Sequence, residues 1–243
     1  MLLNVKLFIQ NILNNFLDFH FYKRSVTLLK NIEKHISHKD SKLLNVPFQF
    51  KGFGFYKIIS PSQEMGEIKP FYEFIRKLKP KIVCEIGTDK GGTLYLWCKA
   101  SHDEALIVSL DLPSRNNFTP KRRNFYSNFK KHKQDLKFVV GDSHKKETFN
   151  FLKKTLNGKL IDFLFIDGDH TYKGVKQDFN DYSKLVKKGG YIALHDIRTI
   201  RNNCGVSEFW NDLNKKLKKN NLKEFAVNDF GPAGAGIGLI KNE

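Results

Sequence analysis

Cysteine is scarce in this chain. Cys84, Cys98 and Cys204 are the only three among 243 residues, an odd number without the paired spacing of a metal knuckle. No disulfide framework follows from them, so a disulfide-stapled secreted scaffold is excluded and a reducing, cytoplasmic setting is expected. Long apolar runs are missing too. The N-terminal apolar stretches are interrupted by Lys6, Gln10 and Asn14, and no small-residue cleavage site follows them. Neither a transmembrane helix nor a signal peptide is expected. The chain has no Gly-Lys-Ser/Thr and therefore no Walker loop, and it has no G-x-G-x-x-G dinucleotide fingerprint. Internal repeats and low-complexity segments are absent. Acidic residues are the poorer charge class, 25 against 42 Lys and Arg, for a formal net charge of +17. Such an excess suits nucleic acid, an anionic membrane surface or an acidic substrate. Its placement argues for the plainer reading of solvated faces. The basic residues are scattered as Lys121-Arg122-Arg123, Lys187-Lys188, Lys215-Lys216 and Lys218-Lys219, with no base-stacking module beside them. Nucleic acid is accordingly disfavoured as a partner.

What is present suits one α/β domain with additional elements. Hydrophobic residues make up 40% and aromatics 13%, enough for a sizeable core. Val5, Phe8, Ile9, Ile12, Leu13, Phe16 and Leu17 recur at helical spacing. A second helical stretch, over 25–36, places Leu28, Leu29, Ile32 and Ile36 on one side. These two helices are expected to pack on the domain or on a second copy of the chain, with peripheral membrane contact as the alternative. His35 and His38 read as a solvated helix end, and 39–60 as a linker. Ser62 can cap a helix ending near Leu78, although Pro70 moves its expected start towards Ile68. From there strands and helices alternate. Strands are expected over 81–86, 106–110, 136–140, 160–166, 191–194, 225–227 and 237–240. Helices are expected over 92–99, 120–132, 145–156, 172–186 and 206–217. Alternation of this kind predicts a doubly wound, mostly parallel sheet. The expected division is an N-terminal helical extension and linker, 1–60, and an α/β domain, 61–243.

The chemistry gathers at strand ends. The run 160–166 ends in Asp167-Gly168-Asp169-His170. After a helix and the Gly189-Gly190 turn, the next apolar run ends in His195-Asp196. One βαβ unit separates Asp167 from Asp196, so both belong at the carboxyl edge of a parallel sheet, where open α/β sheets bind ligands. A glycine loop, Glu85-Ile86-Gly87-Thr88-Asp89-Lys90-Gly91-Gly92, follows the first strand and opens a helix. Glycines let backbone turn sharply and approach a ligand closely. Asp111 ends the next strand, about 20 residues on, where an acid accepts hydrogen bonds from ribose hydroxyls. Gly141-Asp142-Ser143-His144 ends the third and is placed to meet an adenine edge.

Together these motifs resemble a class I S-adenosylmethionine-dependent methyltransferase. Glu85-x-Gly87-x-x-x-Gly91 is similar to that family's first motif, Asp111 to its ribose-binding acid and Gly141-Asp142-Ser143 to its adenine-side motif. The set Ile166-Asp-Gly-Asp-His170-x-Tyr172-x-Gly174-Val175, with Gly189-Gly190 and His195-Asp196, resembles a narrower branch. That branch includes the cephalosporin-biosynthesis, rhamnosyl and macrolide-sugar O-methyltransferases. The resemblance runs from about 82 to 197, is weaker to 240 and does not reach the first 60 residues. It implies a Rossmann-like methyltransferase fold behind an N-terminal helical extension. S-adenosylmethionine would be held by Glu85, Gly87, Thr88, Gly91, Asp111, Asp142 and Ser143. It also implies a divalent cation, magnesium or similar, on Asp167 and Asp196. His195 stands where metal-dependent members carry an acid, which widens the choice to softer ions. His170 is expected as general base, with Asp167 beside it, acting on a hydroxyl of a sugar or other small natural product. Two other readings are a nucleic-acid methyltransferase and a non-catalytic cofactor-binding module docked on a membrane or partner.

Overall fold

The computed structural model of the chain describes residues 2–36, 40–114, 116–199, 201–226 and 236–243. Its strands are β1 (Ile82–Ile86), β2 (Leu106–Asp111), β3 (Asp135–Val140), β4 (Ile161–Ile166), β5 (Val186–His195), β6 (Leu222–Phe225) and β7 (Ile237–Lys241). They form one sheet in the order β3-β2-β1-β4-β5-β7-β6. The first five strands are parallel, and β7 runs antiparallel between β5 and β6. The central strands are mostly apolar because both sheet faces are covered. In β4, Phe163 and Phe165 enter one core and Leu164 and Ile166 the other, as the period of two requires.

The helices are α1 (Leu2–Ile36), α2 (Val46–Gln49), α3 (Met65–Leu78), α4 (Gly92–Ala100), α5 (Pro120–Tyr126), α6 (Lys146–Leu156), α7 (Tyr172–Tyr182) and α8 (Val206–Lys216). The core containing Phe163 draws on α1 to α5, and the other on α6 to α8. Trp97 of α4 anchors the first. Its ring centroid lies 5.2 Å from Phe163 and 5.1 Å from Phe165, in the edge and tilted geometries that aromatic quadrupoles favour. Strand β1 pairs with both β2 and β4, so the winding reverses there. That reversal opens a crevice at the carboxyl edge of the sheet.

Several local expectations need correction. The two expected N-terminal helices are one continuous α1, because 18–24 contain neither Gly nor Pro to break it. Helix α3 begins at Met65 rather than at Ser62 or Ile68. Glu64 and Glu67 form a reciprocal capping box there, and Pro70 is tolerated inside the helix. Helix α5 stops at Tyr126, not His132. A turn closed by Phe129 N on Tyr126 O carries Phe129 into the core against Tyr95. Helix α7 ends at Tyr182, followed by a 3-10 turn over Ser183–Leu185. Gly189 and Gly190 do not separate helix from strand. They lie within β5, where Gly189 has φ +75° and the pairing with β4 shifts register. The last strands are Leu222–Phe225 and Ile237–Lys241; Val227 and His38 fall outside the described residues.

In α1, Leu13, Phe16 and Leu17 are exposed, whereas Ser25 and Leu29 are buried. Residues 40–60 contain short helical turns and bury Leu44, Val46, Phe50, Tyr56 and Ile59. Arg122, expected on a solvated face, is 2% exposed. Its guanidinium donates to Phe55 O at 3.0 Å, Ile58 O at 2.7 Å and Lys90 O at 3.0 Å. It also donates to the Tyr126 hydroxyl at 3.1 Å. One buried cation thus ties the segment after α1 to the glycine loop. Arg122→Met would strand three carbonyls. At about 1 kcal/mol or more each, the loss is about 3 kcal/mol or more, a fall in Tm of roughly 6–12 °C. A melting curve checks this, and an unchanged Tm would show the clamp to be dispensable.

Candidate functional site

The crevice at the switch point is a cavity of about 670 Å³. The glycine loop forms one wall. Gly87 has φ +88°, and a Cβ there would collide with the Asp167 carbonyl oxygen, so loop and β4 terminus touch backbone to backbone. Gly91 has φ +82° beneath the Tyr126 ring. Thr88 joins the loop to β2 through a hydroxyl pair with Ser109 at 2.6 Å. Asp111 gathers two amides of the glycine loop and that of its own neighbour Leu112. Thr88 N and Asp89 N donate to its Oδ2 at 3.0 and 2.8 Å, and Leu112 N to its Oδ1 at 2.7 Å. A carboxylate has roughly four acceptor positions, so about one remains for a ligand. Desolvation raises the Asp111 pKa, and the three amides work against that rise.

At the end of β3, Asp142 Oδ1 accepts from His144 N at 2.9 Å, and Ser143 O from the Tyr182 hydroxyl at 2.9 Å. The His144 ring lies 3.4 Å from Asp178, a fully buried carboxyl that desolvation pushes up to about 6. Glu85 is fully buried under the loop, and Trp97 Nε1 donates to its Oε1 at 2.9 Å. Burial pushes its carboxyl up to about 8.

The opposite wall is a chain of acids and imidazoles. Asp167 Oδ2 accepts from Gln63 Nε2 at 2.7 Å, and its Oδ1 lies 3.1 Å from His195 Nδ1. His195 Nε2 lies 3.1 Å from Glu67 Oε1, and Glu67 Oε2 accepts from Gly236 N. Burial disfavours a charged His195 ring, but Asp167, Glu67 and Asp196 around it hold its pKa well above the usual value. His170 Nδ1 lies 2.8 Å from Asp196 Oδ2, and this bond raises the imidazole pKa. For Asp196 burial acts upward, while His170 and His195 outweigh it and lower the pKa. Asp196 also has φ +66°, a left-handed conformation that Asp tolerates better than most residues and that recurs at functional sites. Asp169 accepts from Thr171 N at 2.8 Å and shapes the turn into α7, which Thr171 caps.

The cavity thus brings together Gly87, Thr88, Asp111, Asp142, Ser143, Asp167, His170, His195 and Asp196. Glu85 and Gly91 sit behind its lining and act on the shape of the loop. Gln63 and Glu67 are additions that sequence reasoning missed. Glu67 occupies the third position of a helix behind an acidic cap, where a capping role already accounts for it. Nothing local to 63–67 signals that two of these side chains reach the ends of β4 and β5. Oxygen and nitrogen donors of Asp167, His195 and Asp196 lie within 4.8 Å of one another, a set able to hold a divalent ion. His170, Asp196 and Cys204 form a second set meeting the same distance limit.

Residues 84–197 match the methyltransferase-domain family. An uncharacterized protein of Acanthamoeba polyphaga mimivirus is 37% identical over 117 residues, which is 48% of this chain and 52% of that protein. The chain spans about half the length, or less, of the curated relatives it matches. Among solved structures, the O-methyltransferase from Bacillus cereus in complex with SAH is similar at TM-score 0.53 and 17% identity. The match covers 75% of this chain and 84% of that one. The O-methyltransferase TomG from Streptomyces achromogenes, in complex with SAM, gives TM-score 0.53 at 16% identity, covering 72% and 81%. The fold is that of the Rossmann-like methyltransferases, as the sequence resemblance implies.

Proposed function

We propose that the chain transfers a methyl group from S-adenosylmethionine to a hydroxyl of a small molecule, a sugar or similar natural product, with a divalent ion at Asp167, His195 and Asp196. The observation that carries this reading is the sharing of one cavity. The glycine loop, Asp111 and Asp142 face the acid–imidazole chain across it. Its volume lies in the range of small-molecule sites, about 300–1,000 Å³. When bound, S-adenosylmethionine supplies an already activated methyl group, and the ion supplies Lewis acidity to the acceptor hydroxyl.

The chain's own residues have three tasks in this reading. Asp111 and the loop amides orient the ribose, with Asp142 and Ser143 at the adenine edge. The backbone contact between Gly87 and Asp167 fixes the distance between cofactor and acceptor walls, and in-line placement of the reacting atoms contributes much of the rate. His170 takes the hydroxyl proton. With its Nδ1 on Asp196, a neutral ring carries its proton there and leaves Nε2 as the acceptor.

The test is mass spectrometry of a panel of hydroxylated acceptors incubated with the full chain and S-adenosylmethionine, with and without chelator. A gain of one methyl on oxygen that chelator suppresses supports the reading. Transfer to nitrogen or carbon would displace it, and transfer indifferent to chelator would remove the ion from it.

A further inference from the structure

We infer that Glu67 is a positioning residue for His195, and that the pair makes this site select a borderline divalent ion such as zinc or cobalt over magnesium. The inference rests on the proposed reading of Asp167, His195 and Asp196 as an ion site. His195 and Glu67 are 5% and 1% exposed, so neither can turn away to water. Glu67 Oε1 lies 3.1 Å from His195 Nε2. A carboxylate only accepts hydrogen bonds, so it fixes an N–H at Nε2. The lone pair of a neutral ring then lies at Nδ1. That atom faces Asp167 Oδ1 at 3.1 Å and Asp196 Oδ1 at 3.7 Å. Two carboxylate oxygens facing Nδ1 call for a positive charge at that place, a proton on the ring or a metal ion that takes its position. A buried carboxylate behind a histidine whose other nitrogen faces an ion is the arrangement that orients imidazole ligands in metal sites.

The surroundings strengthen this reading. Glu67 Oε2 is held by Gly236 N, and Glu64 N also donates to Oε1 at 2.9 Å, so the carboxylate is fixed at both oxygens. Gln63 occupies Asp167 Oδ2, which leaves Oδ1 as the oxygen that faces the ion. Glu67 and Gln63 come from α3 and the turn before it, a different part of the chain from the ligands they hold. The donor chemistry sets the choice of ion. Magnesium demands oxygen ligands in a near-octahedral shell and gives up water reluctantly. Imidazole suits zinc, cobalt and their neighbours. Cys204 forms a second candidate donor set with His170 and the shared Asp196.

The experiment strips the full chain with chelator and titrates it with Co(II), Zn(II) and Mg(II) by calorimetry, following Co(II) by its visible absorption. Co(II) and Zn(II) should bind at least an order of magnitude more tightly than Mg(II). Glu67→Gln should weaken Co(II) binding roughly 10–100-fold, change its absorption bands and leave Mg(II) affinity little changed. His195→Asp should move the preference towards Mg(II), and it decides the matter alone if Glu67→Gln does not fold. Equal affinities of wild type for Mg(II) and Co(II) would overturn the selectivity. A Glu67→Gln variant that weakened both ions alike, with unaltered Co(II) bands, would reduce Glu67 to a helix cap and overturn its positioning role. Binding of no ion, with S-adenosylmethionine binding intact, would remove the ion site itself while leaving the cofactor reading standing.

Discussion

His170→Ala is expected to lower kcat by about 10²–10⁴-fold, with S-adenosylmethionine affinity close to wild type. The ring lies at the mouth of the cavity, 47% exposed, and its Nδ1 is held by Asp196 at 2.8 Å. It is therefore oriented without being shut away from an acceptor. The pH profile gives an independent check. The hydrogen bond to Asp196 raises the pKa above the usual value near 6.5. A base must be neutral to work, so the rate should climb as pH rises through that elevated value and fall away in acid. Stability runs the other way. A raised imidazole pKa contributes stability that is fully present below about 6.5 and fades as pH rises through the folded value. Activity and this part of the stability should therefore move in opposite directions over the same window. A variant that lost thermal stability but kept kcat would make His170 a structural tether of the β4 loop.

Asp111→Ala should weaken S-adenosylmethionine binding by roughly 10–100-fold or more. A hydrogen bond to a charged acceptor contributes about 1.5–3 kcal/mol, and every 1.4 kcal/mol is about tenfold. The Thr88, Asp89 and Leu112 amides now on its carboxylate would also lose their acceptor. Asp111→Asn separates the two contributions. Its side-chain oxygen can still accept from part of the loop, but its amide nitrogen meets other N–H donors. Calorimetry should rank wild type above Asp111→Asn above Asp111→Ala. Equal affinities in folded variants would take Asp111 out of the cofactor site.

Much of this site could be read from the chain because its residues follow apolar runs. Asp111, Asp142, Asp167 and Asp196 each sit where β-branched and aromatic residues give way to polar ones. Parallel topology then carries all four to one edge. The apolar run over 160–166 is legible for the same reason. The misreadings have local physical causes. Gly189 looks like a turn because glycine permits positive φ, yet that freedom is used for an irregularity inside β5. Arg122 sits in a basic triplet resembling a solvated face, but three carbonyls that cannot be inferred from local sequence draw it inside. Glu67 lies 128 positions from His195, and its helix-capping pattern fully explains an acid at that place. Long-range contacts made by residues that already satisfy a local rule leave no trace in sequence pattern.

The most direct measurement is ultraviolet crosslinking of methyl-labelled S-adenosylmethionine to the full chain, followed by peptide mapping. Saturable label on peptides spanning 85–93 or 111–118, suppressed by excess unlabelled cofactor, is the predicted result. Label that does not saturate, or that maps to α1 instead, would contradict the assignment of this cavity as the cofactor site.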